Sequence, residues 1–194
     1  MTKAIYAGTF DPITMGHLDI ISRSMQFCNQ LVIGIGANPA KNTMFTEEER
    51  IRQIEGALKE KVDFLTNTNI QVATFQGLLV EYAKQIGANI LIRGIRSVSD
   101  FEYEINLANI NKVLAPSIET VFLPTSPQLA VVSSSMVKEV CKLGGDVTRF
   151  VPKHIVEQIN SKFGFLKHGQ TDIGTEAIDS LRSAVFEVER ELKK

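Results

Sequence analysis

The sequence predicts an α/β protein built on a doubly wound, parallel sheet of five strands. Short apolar runs alternate with helical patterns along the chain. A strand that recurs after each helix implies right-handed crossovers, and therefore a parallel sheet covered on both faces. The residues best suited to chemistry, Thr9, Lys41, Arg93 and Ser133, fall after strands or at helix starts, where the ligands of such sheets bind.

The first strand is Ala4 to Ala7, short, apolar and bounded by Gly8, and an amphipathic segment follows from about Met15 to Phe27. Leu31 to Ile35 reads as the second strand. A loop through Pro39 and Lys41 leads to a helix opened by Thr46, with Glu49 three residues on, the pattern of a capping box. Ile70 to Phe75 is the third strand and Leu78 to Ile86 a helix; the turn Gly87-Ala88-Asn89 introduces a fourth strand at Ile90 to Ile92. A long helical pattern runs from about Ser99 to Leu114, the fifth strand is Ile118 to Leu123, and a loop from Pro124 leads to another helix near Ser134. Pro152 suits the first turn of a closing helix spaced by Ile155, Val156 and Ile159. Residues 1–165 read as one domain. Residues 166–194 read as an extension with an added helix from about Thr175, in which Ile178, Leu181, Val185, Val188 and Leu192 keep a heptad-like spacing that asks for a partner surface.

A chain of 194 residues with 44% hydrophobic content can bury a full core. With 21 basic and 22 acidic residues and no long run of one sign, nucleic acid is not an expected partner. No apolar run approaches the roughly 20 residues that span a bilayer, so no membrane is expected and the cytoplasm is the default location. Cys28 and Cys141 both fall on helical patterns beside apolar residues, without metal-binding spacing, and read as reduced core thiols.

The junction Gly8-Thr9-Phe10-Asp11-Pro12-Ile13-Thr14-Met15-Gly16-His17 joins the first strand to its helix. Free backbone N–H groups at a helix start face an incoming anion, and His17 in that first turn can donate to a phosphate oxygen while Thr9 adds a hydroxyl. The plainer alternative is that His17 only caps or packs its helix. Ile92-Arg93-Gly94-Ile95-Arg96 delivers two arginine forks to the same sheet edge, where they can reach phosphate oxygens; the plainer alternative is surface ion pairing. Lys41 has only its location in favour of it. Val132-Ser133-Ser134-Ser135 offers three hydroxyls at a helix start, of which simple capping explains one. Acidic residues on the long helix, Glu104 included, are ordinarily solvated, and His154 and His168 read as surface residues. Gly34-Ile35-Gly36 lacks the third glycine of a dinucleotide fingerprint, and no Gly-Lys-Ser/Thr phosphate loop occurs.

Taken in order, Gly8 to Pro12 with Gly16-His17, Ile92 to Arg96, Asp100-Phe101-Glu102-Tyr103-Glu104 and Ser133 to Ser135 resemble the bacterial phosphopantetheine adenylyltransferase family over about residues 1–165. Thr14-Met15-Gly16-His17 resembles the Thr/His-x-Gly-His signature that many nucleotidyltransferases share. The resemblance implies a Rossmann-like nucleotidyltransferase fold and transfer of the adenylyl group of ATP to 4'-phosphopantetheine, giving dephospho-coenzyme A and pyrophosphate. It further implies that His17 contacts the α-phosphate, that Thr9 and Phe10 border the substrates, that Lys41 and Arg93 hold the acceptor phosphate, and that Leu79 lies beside the pantetheine arm. Gly94, Ile95, Arg96, Glu104 and the stretch Leu129, Ala130, Val131, Val132, Ser133, Ser134, Ser135 correspond to ATP-binding segments. Mg2+ would bridge the phosphates, with no metal ligand in the protein itself, and the assembly implied is a homo-oligomer, typically a hexamer. Relatives commonly end near Leu166, and some carry an aromatic where Gln128 to Val131 stand here. The competing readings are a nucleotidyltransferase with another phosphorylated acceptor and a non-catalytic nucleotide sensor.

Overall fold

The computed structural model describes residues 2–37, 42–60 and 69–164. Lys41, His168 and the extension at 166–194 lie outside the described residues. Five strands, β1 (Lys3–Gly8), β2 (Gln30–Gly36), β3 (Asn69–Phe75), β4 (Ile90–Ile95) and β5 (Glu119–Pro124), form one parallel sheet in the order β3-β2-β1-β4-β5. The helices are α1 (Met15–Ser24), α2 (Glu47–Glu60), α3 (Leu79–Gln85), α4 (Val98–Leu114), α5 (Ser134–Lys142) and α6 (Lys153–Lys162). The chain steps outward from β1 to β3 and then returns to lay β4 on the other side of β1. That reversal makes the carboxyl ends of β1 and β4 the switch point at which such sheets open a crevice.

Side chains alternate across the pleat, so β1 feeds two cores. Tyr6 joins Ile33 and Ile92 under Leu18 and Ile21 of α1, Ile54 of α2, Val137 of α5, and Ile155 and Ile159 of α6. On the opposite face Ile5 and Ala7 join Val32 and Leu91 beneath Val80 and Ala83 of α3, with Ala115 and Ile118. Each large aliphatic side chain taken out of water contributes roughly 1.5–3 kcal/mol. The Thr46 capping box forms as expected: the Thr46 N–H donates to Glu49 Oε2 at 2.8 Å and the Glu49 N–H to Thr46 Oγ1 at 3.2 Å.

The departures from the sequence reading have local causes. β4 continues past Ile92 because Arg93, Gly94 and Ile95 go on pairing with Phe122, Leu123 and Pro124 of β5, and backbone pairing is indifferent to side-chain polarity. α1 stops at Ser24, where the N–H groups of Gln26 and Phe27 donate three residues back in tight turns. Cys28 therefore lies past the helix rather than on it; it and Cys141 are free and buried. His154 is not freely solvated. It is partly buried against Gly56, where any side chain would collide with its ring, and its ring nitrogens meet Glu60 Oε1 at 2.5 Å and the Gln53 carbonyl at 3.1 Å. α4 buries none of its residues, and Val98, Phe101, Tyr103, Ile105, Ile110, Val113 and Leu114 stand exposed along it.

Candidate active site

The crevice at the switch point is a cavity of about 480 Å³ lined from β1 and its loop, from β4, α4 and α5, and from Asn42 and Thr43 ahead of α2. Its shape begins with a separation of strands. β1 pairs with β2 at six successive positions up to Gly8 and Ile35, but with β4 only from Ala4 to Tyr6. Beyond Tyr6 and Ile92 the two central strands part, and the Arg93 guanidinium fills the gap, with Nη1 donating to the Ala7 carbonyl at 2.8 Å. An arginine side chain thus takes a place in the ladder that a backbone N–H would otherwise hold.

The loop after β1 turns sharply. Phe10 adopts φ 50°, a left-handed conformation that is strained for a bulky residue. Its buried ring lies edge-on to Tyr6 at 5.5 Å and to His17 at 5.0 Å. The buried Asp11 carboxylate accepts from the N–H groups of Met44 at 3.0 Å and Phe45 at 2.9 Å, and from Lys138 Nζ at 2.7 Å. One side chain thereby fastens the β1–α1 loop to the segment ahead of α2 and to α5.

α1 starts with a capping box in which histidine does the work often left to glutamate. Thr14 Oγ1 accepts from the His17 N–H at 3.4 Å, and His17 Nδ1 accepts from the Thr14 N–H at 3.0 Å. A backbone N–H can only donate, so Nδ1 is the unprotonated nitrogen of the neutral ring and Nε2 carries the proton. Desolvation, aided by the Arg96 charge, lowers the His17 pKa to about 4. At neutral pH the ring is an uncharged donor lining the cavity. For this residue capping and phosphate contact are compatible, because the cap fixes which nitrogen can donate.

Across the cavity Arg93 Nε and Nη2 donate to Glu104 Oε2 and Oε1 at 2.7 and 2.5 Å. Burial pulls the Arg93 pKa down, but the Glu104 hydrogen bonds and charge outweigh it, and the net shift is upward. Among the described residues three of its five N–H donors are used, leaving one on each terminal nitrogen. Arg96 is held by Asp100 at 3.0 and 3.3 Å. At the start of α5 the serines divide their tasks: Ser133 Oγ accepts from the Met136 N–H at 3.1 Å, Ser134 Oγ donates to the Pro12 carbonyl at 2.8 Å, and the exposed Ser135 lines the cavity. The N-termini of α1 and α5 therefore meet at one cavity, and both favour an anion.

Of the residues named from sequence, Thr9, Phe10, His17, Arg93, Gly94, Arg96, Glu104, Val132, Ser133, Ser134 and Ser135 line this cavity together. Ile95, Leu129, Ala130 and Val131 do not: Leu129 ends a 3-10 turn and packs on the core, and Val131 faces solvent. Leu79 packs on the second core, away from the cavity. Glu104 is not a solvated helix carboxylate but the partner of Arg93. Asp11, Thr14 and Asp100, which sequence places only within the motifs, also line the cavity, as do Lys138 and, outside every motif, Asn42, Thr43 and Thr125. The capping pattern Thr14-x-x-His17 could have signalled Thr14, whereas Lys138 meets Asp11 across 127 residues, a distance no local pattern carries.

Fold and cavity together are those of a nucleotidyltransferase. The sequence profile of the cytidylyltransferase-like family matches residues 5–140. The fold superposes on the Plasmodium falciparum nicotinic acid mononucleotide adenylyltransferase complexed with NaAD with a TM-score of 0.61, over 84% of this chain and 96% of that one, at 14% identity. Phosphopantetheine adenylyltransferase of Lachnoclostridium phytofermentans is 45% identical over 163 residues, covering 84% of this chain and 96% of the relative. The same-named protein of Heliobacterium modesticaldum is 40% identical over 173 residues, covering 89% and 99%. The chain belongs to the phosphopantetheine adenylyltransferase family.

Proposed function

We propose that this chain transfers the adenylyl group of ATP to 4'-phosphopantetheine, forming dephospho-coenzyme A and pyrophosphate. An acceptor phosphate oxygen attacks the α-phosphorus as pyrophosphate leaves on the opposite side, and no group of the protein bonds covalently to substrate. The protein's task is to align the two phosphates and to stabilise charge on the phosphoryl oxygens. The observation that carries this reading is the fixed tautomer of His17, which presents an uncharged Nε2–H donor beside two helix N-termini. His17 serves the α-phosphoryl oxygen. Thr9, Phe10, Gly94, Arg96, Glu104 and Ser133 to Ser135 border ATP, and the remaining N–H groups of Arg93, together with Lys41, take the acceptor phosphate.

Every acidic side chain lining the cavity is already engaged: Asp11 with Lys138, Asp100 with Arg96, and Glu104 with Arg93. That donor set does not suit a resident Mg2+ ion, so the ion belongs to the ATP phosphates, whose charge it neutralises. We place the reaction in the cytoplasm; no described helix is long and apolar enough to cross a membrane. A homo-oligomer, a hexamer by analogy with the family, is supported by α4, which carries a row of exposed apolar side chains of the kind that marks subunit contacts.

The test is pyrophosphate release from ATP and Mg2+ with 4'-phosphopantetheine, with nicotinamide mononucleotide, and with neither. Release with phosphopantetheine alone is the expected result. Release with the mononucleotide instead would move the chain to another acceptor, and binding of ATP without release under any acceptor would make it a nucleotide sensor.

A further inference from the structure

We propose that Arg50 is a positioning residue for this reaction, acting through the Thr9 carbonyl on the corner of the chain that faces the substrates. This rests on the reading of Thr9 as a substrate contact. Arg50, in the first turns of α2, is 4% exposed and does not line the cavity. Its Nη1 donates to the Thr9 carbonyl at 2.7 Å and its Nε to the Thr46 carbonyl at 3.3 Å. Among the described residues no carboxylate pairs with it. A guanidinium withdrawn from water and met, among the described residues, only by carbonyl oxygens is costly to bury, and core packing alone would be served better by an aliphatic chain.

What the guanidinium holds is the residue before the strained one. Phe10, at φ 50°, stands between Thr9, tied by Arg50, and Asp11, tied by Met44, Phe45 and Lys138. A left-handed bulky residue persists only where its surroundings over-determine it, and here both flanks are pinned. Release of the Thr9 side lets the corner relax, shifting the Thr9 hydroxyl and the Phe10 ring that packs on His17 at 5.0 Å. Shifts of about 1 Å in such a site cost about 100-fold in rate.

The experiment is a double-mutant cycle on the full chain with Thr9→Val, Arg50→Met and both, together with Arg50→Lys. The readouts are kcat/KM for pyrophosphate release, the dissociation constant for ATP with Mg2+ by calorimetry, and thermal unfolding. If Arg50 acts through Thr9, each single change lowers kcat/KM by about 10- to 100-fold, and the double variant falls within about threefold of the worse single. Arg50→Lys, which keeps the charge but cannot span both carbonyls, stays within about threefold of Arg50→Met. Losses that multiply, an unchanged Arg50→Met, or full activity in Arg50→Lys would each overturn the proposal. Should Arg50→Met fail to fold, Arg50→Lys paired with Thr9→Val completes the same cycle. If the wild type releases no pyrophosphate, the functional reading fails by itself; the cycle is then read on ATP affinity, where additivity overturns the positioning role and non-additivity keeps it.

Discussion

Replacing His17 by alanine removes two things that the structure separates: the Nε2–H donor facing the cavity and the Nδ1 acceptor that seats the Thr14 N–H at 3.0 Å. A preorganised donor aimed at charge that develops in the transition state is worth about 3–4 kcal/mol, so kcat should fall by about 10²- to 10³-fold. The lost cap bond leaves one buried helix-start donor without its partner, at about 1 kcal/mol of stability. ATP in its ground state keeps the N–H groups of α1 and α5 and the nearby cations, so its dissociation constant should rise by no more than about fivefold. Pyrophosphate release measures the first quantity, calorimetry with ATP and Mg2+ the last, and urea unfolding the stability. Because the wild-type ring stays neutral down to a pKa of about 4, it should contribute no inflection to kcat between pH 8 and about 5. The reasoning is refuted if ATP affinity falls as far as kcat, or if the wild type shows a step near pH 6.5 that His17→Ala abolishes.

Stability should depend on the same ring. The folded pKa lies below the unfolded value of about 6.5, so His17 contributes fully above pH 6.5 and loses its contribution as pH falls towards 4, by about 3 kcal/mol in all; wild-type urea midpoints should fall across that window and those of His17→Ala should fall less. Glu104→Ala leaves a largely buried Arg93 without its bidentate partner and should cost about 2 kcal/mol of stability while raising KM for the acceptor, measurable by unfolding and initial rates. Ile54→Ala empties a fully buried site beneath α2 and should cost about 2–5 kcal/mol with kcat of the folded enzyme unchanged. Val113→Asp, on the exposed face of α4, should reduce the oligomer size seen by sedimentation, while a monomeric wild type would remove the basis for assigning that face to subunit contact.

The sheet was legible because each strand is a short apolar run bounded by turn residues, and a parallel sheet covered on both faces hides such runs whole. His17 and the two arginines were legible because anion sites use helix starts and strand ends, and those positions can be counted along the chain. What escaped shares one physical origin. Asp11 with Lys138, Arg50 with Thr9 and Arg93 with Glu104 meet only after the sheet has formed, across 127, 41 and 11 residues. Their side chains alone are indistinguishable from solvated charges. The stretch Leu129 to Val131 is placed at ATP only by the family resemblance, and here it leaves a 3-10 turn without lining the cavity. α4 differs: its sequence is rich in apolar residues, yet none of them is fully buried.

The parting of β1 and β4 places a single side chain under two demands. Arg93 closes the sheet's central seam at the Ala7 carbonyl and also lines the cavity, so architecture and, in the proposed reaction, chemistry draw on the same five N–H groups. A lysine there has no fork to divide between the two and would have to abandon one. A descendant of this chain that gave up its reaction would still need the wedge, and would carry arginine at this position long after the rest of the cavity had drifted. Retention of Arg93 is therefore poor testimony to activity, and Nε2 of His17, which bonds to none of the described residues, is the better witness.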